Sequence, residues 1–328
     1  MSKMPVDVKK ILKVISHVGK ERGQSVYLDL VFDPTASQRL VDAVLGAFVE
    51  VESKAYVETV VLGATVPEVP LPADLCVIVG GDSLLLGDVA AAARAKGVPA
   101  VAVIERGVTF FSEDPDGARA FAKATAAANA EGTPGAATGK GIPLSDIVDL
   151  DLSVRSERPL EALGAWIVEH APAKRLSLAE NFPFLRHPLA VELGRQNAIQ
   201  NGAIGLVFFV PGADMPLITL NQVRMVMQIA AVYGYPIDTS RLREVVGVVL
   251  GGFGFRAIAR RLASQLPVLG WAIKPGVAAA GTIAISYAAI DYFEKDGLLR
   301  GAADTLEGVV REVVGIACDA SRHGGPAD

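Results

Sequence analysis

Gly80-Gly81-Asp82-Ser83 follows the apolar run DLCVIV and precedes a stretch with helical spacing, where doubly wound proteins hold nucleotides. The second glycine allows a ligand to approach the backbone closely. The spacing is not Gly-x-Gly-x-x-Gly, however, and a tight strand-to-helix turn accounts for two glycines equally well. Residues 135–141 (GAATGKG) imitate a phosphate-binding loop, but Lys140 precedes Gly141 and neither Ser nor Thr. That loop also leads into a strand-like run, so no helix dipole faces an anion there. The histidines His17, His170, His187 and His323 are scattered, without zinc-site spacing. Cys76 falls in an apolar strand, where a thiol is inert packing, and Cys318 is far away in sequence. No Gly-x-Ser-x-Gly elbow is present. The acid pairs Asp114/Asp116 and Asp149/Asp151 sit in loop-like or strand-end positions and read as solvated. No catalytic residue, cofactor site or metal site is expected.

The elements that would position such groups divide the chain in two. Its 328 residues are 51% hydrophobic and 20% charged, with a mean hydropathy of +0.38, so a largely disordered chain is excluded. Two cysteines cannot staple a chain of this length and fit a reducing compartment. Residues 1–20 alternate lysines with Val, Ile and Leu, which reads as an amphipathic helix and not as a secretory signal. From residue 25 to about 172, strand and helix patterns alternate. Strands are expected at 26–32, 55–62, 74–79, 98–104 and within 142–150. Helices are expected at 37–48, 84–96, 117–130 and 159–170. Short apolar strands separated by helices predict a mostly parallel α/β sheet covered on both faces.

The order of these pieces resembles the Era/Ras-type GTPase domain. It runs from a strand and loop, through ADLCVIVGGDS and GVPAVAVIERG, to IPLSD before a last helix. In that family the first loop is glycine-rich and carries a lysine and a hydroxyl for phosphate and magnesium. Here the corresponding stretch is FDPTASQRL: the glycines are gone, Gln38 stands at the lysine position, and Asp33 has the wrong charge for phosphate. GGDS replaces the magnesium-binding Asp-x-x-Gly, and IERG replaces the base-reading Asn-Lys-x-Asp. The resemblance therefore implies a degenerate GTPase domain over residues 1–180, following which an all-α domain spans 181–328. The expected fold class is α/β, a G-domain-like (Rossmann-like) sheet joined to that helical domain.

In the second part, helices are expected at 188–210, 217–233, 239–266, 275–293 and 303–321. Each reads as well as a buried helix as it does as a membrane span, because charges, amides or Pro-Gly interrupt every apolar run. Gly276, Ala280, Ala284 and Ala288 recur every fourth residue, a small-residue stripe that permits close helix approach and self-association. Residues 186–300 hold 11 basic and 7 acidic side chains, although the whole chain carries −5. The overall charge argues against nucleic acid, whereas the local excess suits an anionic membrane surface or an acidic partner. Arg241, Arg243, Arg256, Arg260 and Arg261 are the candidate contacts; the bland alternative is solvated charge at helix ends.

This part resembles the GTPase-associated helical domain of the bacterial YcjF family across residues 188–294. The hallmarks are the turn Pro211-Gly212-Ala213-Asp214, the helix positions Thr219, Gln222 and Met225, and the run ending Tyr233-Gly234. The resemblance implies a domain that follows a GTPase domain or membrane-spanning helices, in a family whose biochemical role is not established. Asp214 reads as a helix cap. The expected function is binding without catalysis, at the cytoplasmic face of the inner membrane or to a protein partner. An active GTP-binding protein with unorthodox contacts and an integral membrane protein are the alternatives.

Overall fold

The structure is a computed structural model and describes residues 16, 18–49, 54–63, 65, 72–81, 85–106, 142–207, 215–235 and 274–295. The chain divides into two compact units, one of Glu21–Leu189 and one of Met1–Lys20 with Ala190–Asp328.

In the first unit five strands form one sheet: β1 Val26–Phe32, β2 Ala55–Val61, β3 Leu75–Val79, β4 Ala100–Glu105 and β5 Ile147–Leu150. Their order is β2-β1-β3-β4-β5, and every pair is parallel. The fold is therefore α/β and doubly wound, as the alternating apolar runs anticipate. Helix α1, Gln38–Val49, carries the chain from β1 to one edge, and α2, Leu86–Ala95, carries it from β3 toward the other. Right-handed crossovers in opposite directions put these helices on opposite faces of the sheet. Under α2 lie Val31, Cys76, Ile78, Ala100 and Ala102, packed with Leu86, Val89, Ala90 and Ala93 of the helix itself. On α1, Phe48 is fully buried and meets Phe182 and Phe184 edge-on, each at 5.1 Å between ring centres.

Strand burial follows position in the sheet. β3 is buried at every residue, whereas β2, at the edge, leaves Tyr56 56% and Val61 69% exposed. Beyond β5 come α3 Glu161–His170 and α4 Arg175–Asn181. Trp166 of α3 donates its indole N–H to the Ser145 carbonyl at 2.8 Å, tying the helix to the turn that enters β5. Helix α4 was not expected from periodicity. Its seven residues are too few to display a repeat, and the neighbouring Pro183 and the 3-10 turn Pro183–Leu185 hide its end.

The described part of the second unit is helical. α5 spans Arg186–Val207, α6 Met215–Val232 and α7 Lys274–Glu294, and α6 packs on α7. The prolines near the starts of α5 and α6 lie in the first helical turn, where no intrahelical N–H is lost. α6 ends as Tyr233-Gly234 predicts. Gly234 takes φ +82°, Tyr235 N–H donates to Ala230 O at 3.0 Å, and Gly234 N–H donates to Ala231 O at 3.0 Å. That is a Schellman closure, which glycine enters without the Cβ penalty. Ala284 and Ala288 of the small-residue stripe are buried. On α5, a Cβ at Gly194 would stand 2.7 Å from Ser286 Cβ, so α5 and α7 meet backbone to side chain there.

Candidate functional site at the C-terminal ends of the strands

In a doubly wound sheet, ligands bind beyond the carboxyl ends of the strands, where the strand order reverses. Here that point lies between β1 and β3, and the residues beyond them are Asp33–Ser37 and Gly80-Gly81.

Asp33 sits at the tip of β1 and is 2% exposed. One carboxylate oxygen, Oδ1, accepts the Thr35 N–H at 2.9 Å and the Thr35 hydroxyl at 2.8 Å. The other, Oδ2, accepts the Gly81 N–H at 3.1 Å. Backbone bonds reinforce the join: Asp33 N–H donates to Val79 O at 3.0 Å and Gly80 N–H to Val103 O at 2.8 Å. Gly81 touches Thr35 so closely that an added Cβ would lie 2.6 Å from Ala36 N. Only a residue without a side chain fits that contact. The glycine pair is therefore a close-packed turn, and the amides that could cradle an anion are turned onto a carboxylate of the same chain.

A second carboxylate completes the site. Glu105 ends β4, is 6% exposed, and accepts the Ser37 hydroxyl proton on Oε2, while Arg39 Nε stands 3.4 Å from Oε1. Ser37 Oγ also accepts the Leu40 N–H at 3.1 Å, which makes it the N-cap of α1. With its proton directed at Glu105 and a lone pair receiving the Leu40 N–H, this hydroxyl ties the start of α1 to the end of β4. Gln38, at the position the GTPase resemblance gives to lysine, donates to Asp42 Oδ1 at 2.7 Å along the exposed side of α1. Of the IERG segment, Arg106 pairs with Asp149 at 2.9 Å and approaches Asp151 at 3.9 Å. Hydrogen bonds from Ser153 hold the exposed Asp151 carboxyl below its ordinary range.

Cys76 is buried in β3, and burial first, then the Asp29 charge, pushes its thiol up to about 12. His170 stacks on Trp166, with ring centres 4.1 Å apart, and His187 lies 3.5 Å from Glu161. Gln222 and Met225 are buried in α6, and Tyr233 and Gly234 close it. Gln222 Nε2 donates to Thr282 Oγ1 at 3.3 Å, Asn201 Nδ2 donates to the same oxygen at 2.8 Å, and Asn221 Nδ2 donates to Asn201 Oδ1 at 3.1 Å. These residues form a polar layer linking α5, α6 and α7. Pro211, Gly212, Ala213, Asp214, Arg241, Arg243, Arg256, Arg260 and Arg261 lie outside the described residues, as do residues 117–130, 135–141, 239–266 and 303–321. Among the described residues, no group of three or more His, Cys, Asp or Glu could hold a metal ion. Among them too, no helix is long and apolar enough to cross a membrane.

Thr35, Ser37, Glu105 and Thr282 were not singled out by sequence. Asp-x-Thr is an Asx-turn pattern and Ser37 precedes a helical run, so both carried a readable local signal. An acid closing the apolar run AVAVI was the signal for Glu105. Compared with known proteins, the chain matches no family model and no curated protein.

Proposed function

We propose that the chain is a non-catalytic pseudo-GTPase domain joined to a YcjF-like helical domain, and that it acts by binding. The observation that carries this reading is the Asp33 carboxylate at the switch point, where the resemblance would place a phosphate. A nucleotide phosphate entering there would meet a buried negative charge already holding the Gly81 and Thr35 amides. It would also lack the lysine, since Gln38 is engaged with Asp42 on the helix surface. The partner is an anionic membrane surface at the cytoplasmic face or an acidic protein surface, through the arginines between Arg241 and Arg261. The positive excess of residues 186–300 supports that choice.

Titration of the full chain with a fluorescent GTP analogue and magnesium, beside flotation with vesicles containing phosphatidylglycerol, tests both parts. The expected results are no saturable nucleotide binding and salt-sensitive flotation. Micromolar nucleotide affinity overturns the pseudo-GTPase assignment. Failure to float removes the membrane and leaves a protein partner.

A further inference from the structure

Asp29 lies in the middle of β1. It is 4% exposed, and its Oδ2 atom is buried without a hydrogen-bond partner. In register, Asp29 lies beside Glu58 of β2 on one side and Cys76 of β3 on the other. Parallel register puts all three side chains on the same face of the sheet. Tyr27 and Tyr56 occupy the next row of that face, with rings stacked at 4.9 Å and 10°. Glu58 is exposed, and among the described residues no strand lies beyond β2.

We infer that the Asp29–Glu58 pair, beside the Tyr27–Tyr56 stack at the open β2 edge, receives the cationic side chain of an extended segment of a partner polypeptide. Charge complementarity selects the cation: two carboxylates sit side by side, one of them buried with an oxygen left unpaired. The stacked tyrosine faces favour a cation as well, particularly a planar guanidinium. An edge unpaired among the described residues selects an extended segment, whose backbone would continue the ladder of β2. A residue added beside Glu58 lies about 5 Å from it, and an arginine or lysine spans the further ~5 Å to Asp29. Burial, with Glu58 second, raises the Asp29 carboxyl to about 6, against the opposing charge of Lys96. A docked cation lowers it again, so binding releases a proton near pH 6.

This site lies in the body of the sheet, away from the strand ends on which the proposed function rests, and its test leaves the nucleotide result untouched. The full chain is titrated calorimetrically with the acetylated, amidated peptide Thr-Val-Arg-Val-Thr, with the same peptide carrying Gln for Arg, and with N-acetylarginine amide. The arginine peptide is expected to bind about ten-fold or more tighter than the glutamine peptide. That preference disappears in Glu58→Gln, whose exposed position leaves folding intact. Buffers of different ionisation enthalpy report proton release at pH 6 but not at pH 8, and Asp29→Asn abolishes the release. Equal affinity for the two peptides overturns the inference, as does the absence of saturation at about 10 mM peptide. N-acetylarginine amide binding as tightly as the peptide removes the polypeptide and leaves a small organic cation. Proton release persisting in Asp29→Asn removes Asp29 from the site.

Discussion

The Gly81 amide donates to the Asp33 carboxylate at 3.1 Å, joining the ends of β3 and β1 across 48 residues of sequence. Asp33 in turn holds the loop into α1 through Thr35, so one side chain fixes both turns that border the switch point. The charge is buried, but it faces several donors, and hydrogen bonds to a charged acceptor are stronger than neutral ones.

Asp33→Ala leaves the part-buried Gly81 and Thr35 amides without their acceptor. A loss of about 3 kcal/mol is expected, and a smaller loss for Asp33→Asn, which keeps one acceptor oxygen. Urea unfolding of the full chain measures both. Equal stability of the two variants and the parent would show that the carboxylate is dispensable.

Gly81→Ala drives a methyl group into Thr35 and the Ala36 amide, and a cost of about 2 kcal/mol or more follows from the forced backbone shift. Gly46 supplies the opposite case: it lies on the exposed side of α1 with nothing within 4 Å of its added Cβ. Gly46→Ala is therefore expected to stabilise by roughly 0.5–1 kcal/mol. The pair of midpoints in one denaturation series checks the contrast, which fails if both shift the same way.

Asp29 makes stability depend on pH. Its carboxyl rises from 3.8 to about 6 in the folded chain, first through burial and then through Glu58. The neutral form is the one folding favours, so its contribution is complete below about pH 4 and is lost as pH rises through about 6. Asp29→Asn should gain on the order of 1–2 kcal/mol over the parent at pH 7.5, with the difference vanishing near pH 4. Thermal unfolding of both proteins across that range decides it; a constant difference would mean that ionisation is irrelevant.

Thr282 Oγ1 accepts from both Asn201 and Gln222 inside the helical unit. Thr282→Val preserves the shape and removes the acceptor, leaving two buried amides short of a partner. A loss of roughly 2–3 kcal/mol is expected, while Thr282→Ser retains most of the stability. Retention of full stability by the valine variant would relocate the polar layer's role elsewhere.

Much of the sheet was legible because its strands are buried runs bounded by turn residues. VYLDLVF lies at Val26–Phe32, and LCVIV at Leu75–Val79, as their apolar patterns indicate. Tyr233-Gly234 likewise ends α6 with the expected left-handed glycine. The site was only half legible. That Asp33 has the wrong charge for phosphate is readable from one residue. That its oxygens take the Gly81 and Thr35 amides depends on pairing between distant strands, which no local pattern encodes. The same holds for Glu105, whose partners Ser37 and Arg39 come from the other side of the switch point. Asn201, Gln222 and Thr282 meet for the same reason, through packing of three helices whose individual faces show no clear amphipathic stripe.

The strand order also sets a timetable. β1 emerges first during synthesis, yet it is an interior strand, with β2 on one side and β3 on the other. β2 can pair with it early and β3 closes its other side, after which β4 and β5 must still be added beyond β3. β5, Ile147–Leu150, begins more than a hundred residues after β1 ends. At ordinary ribosomal speeds of ~5–20 residues per second, the growing chain displays an incomplete sheet for about 10 s. Throughout that interval the newest apolar strand has an unpaired side, so completion of the sheet waits on the last strand to be made.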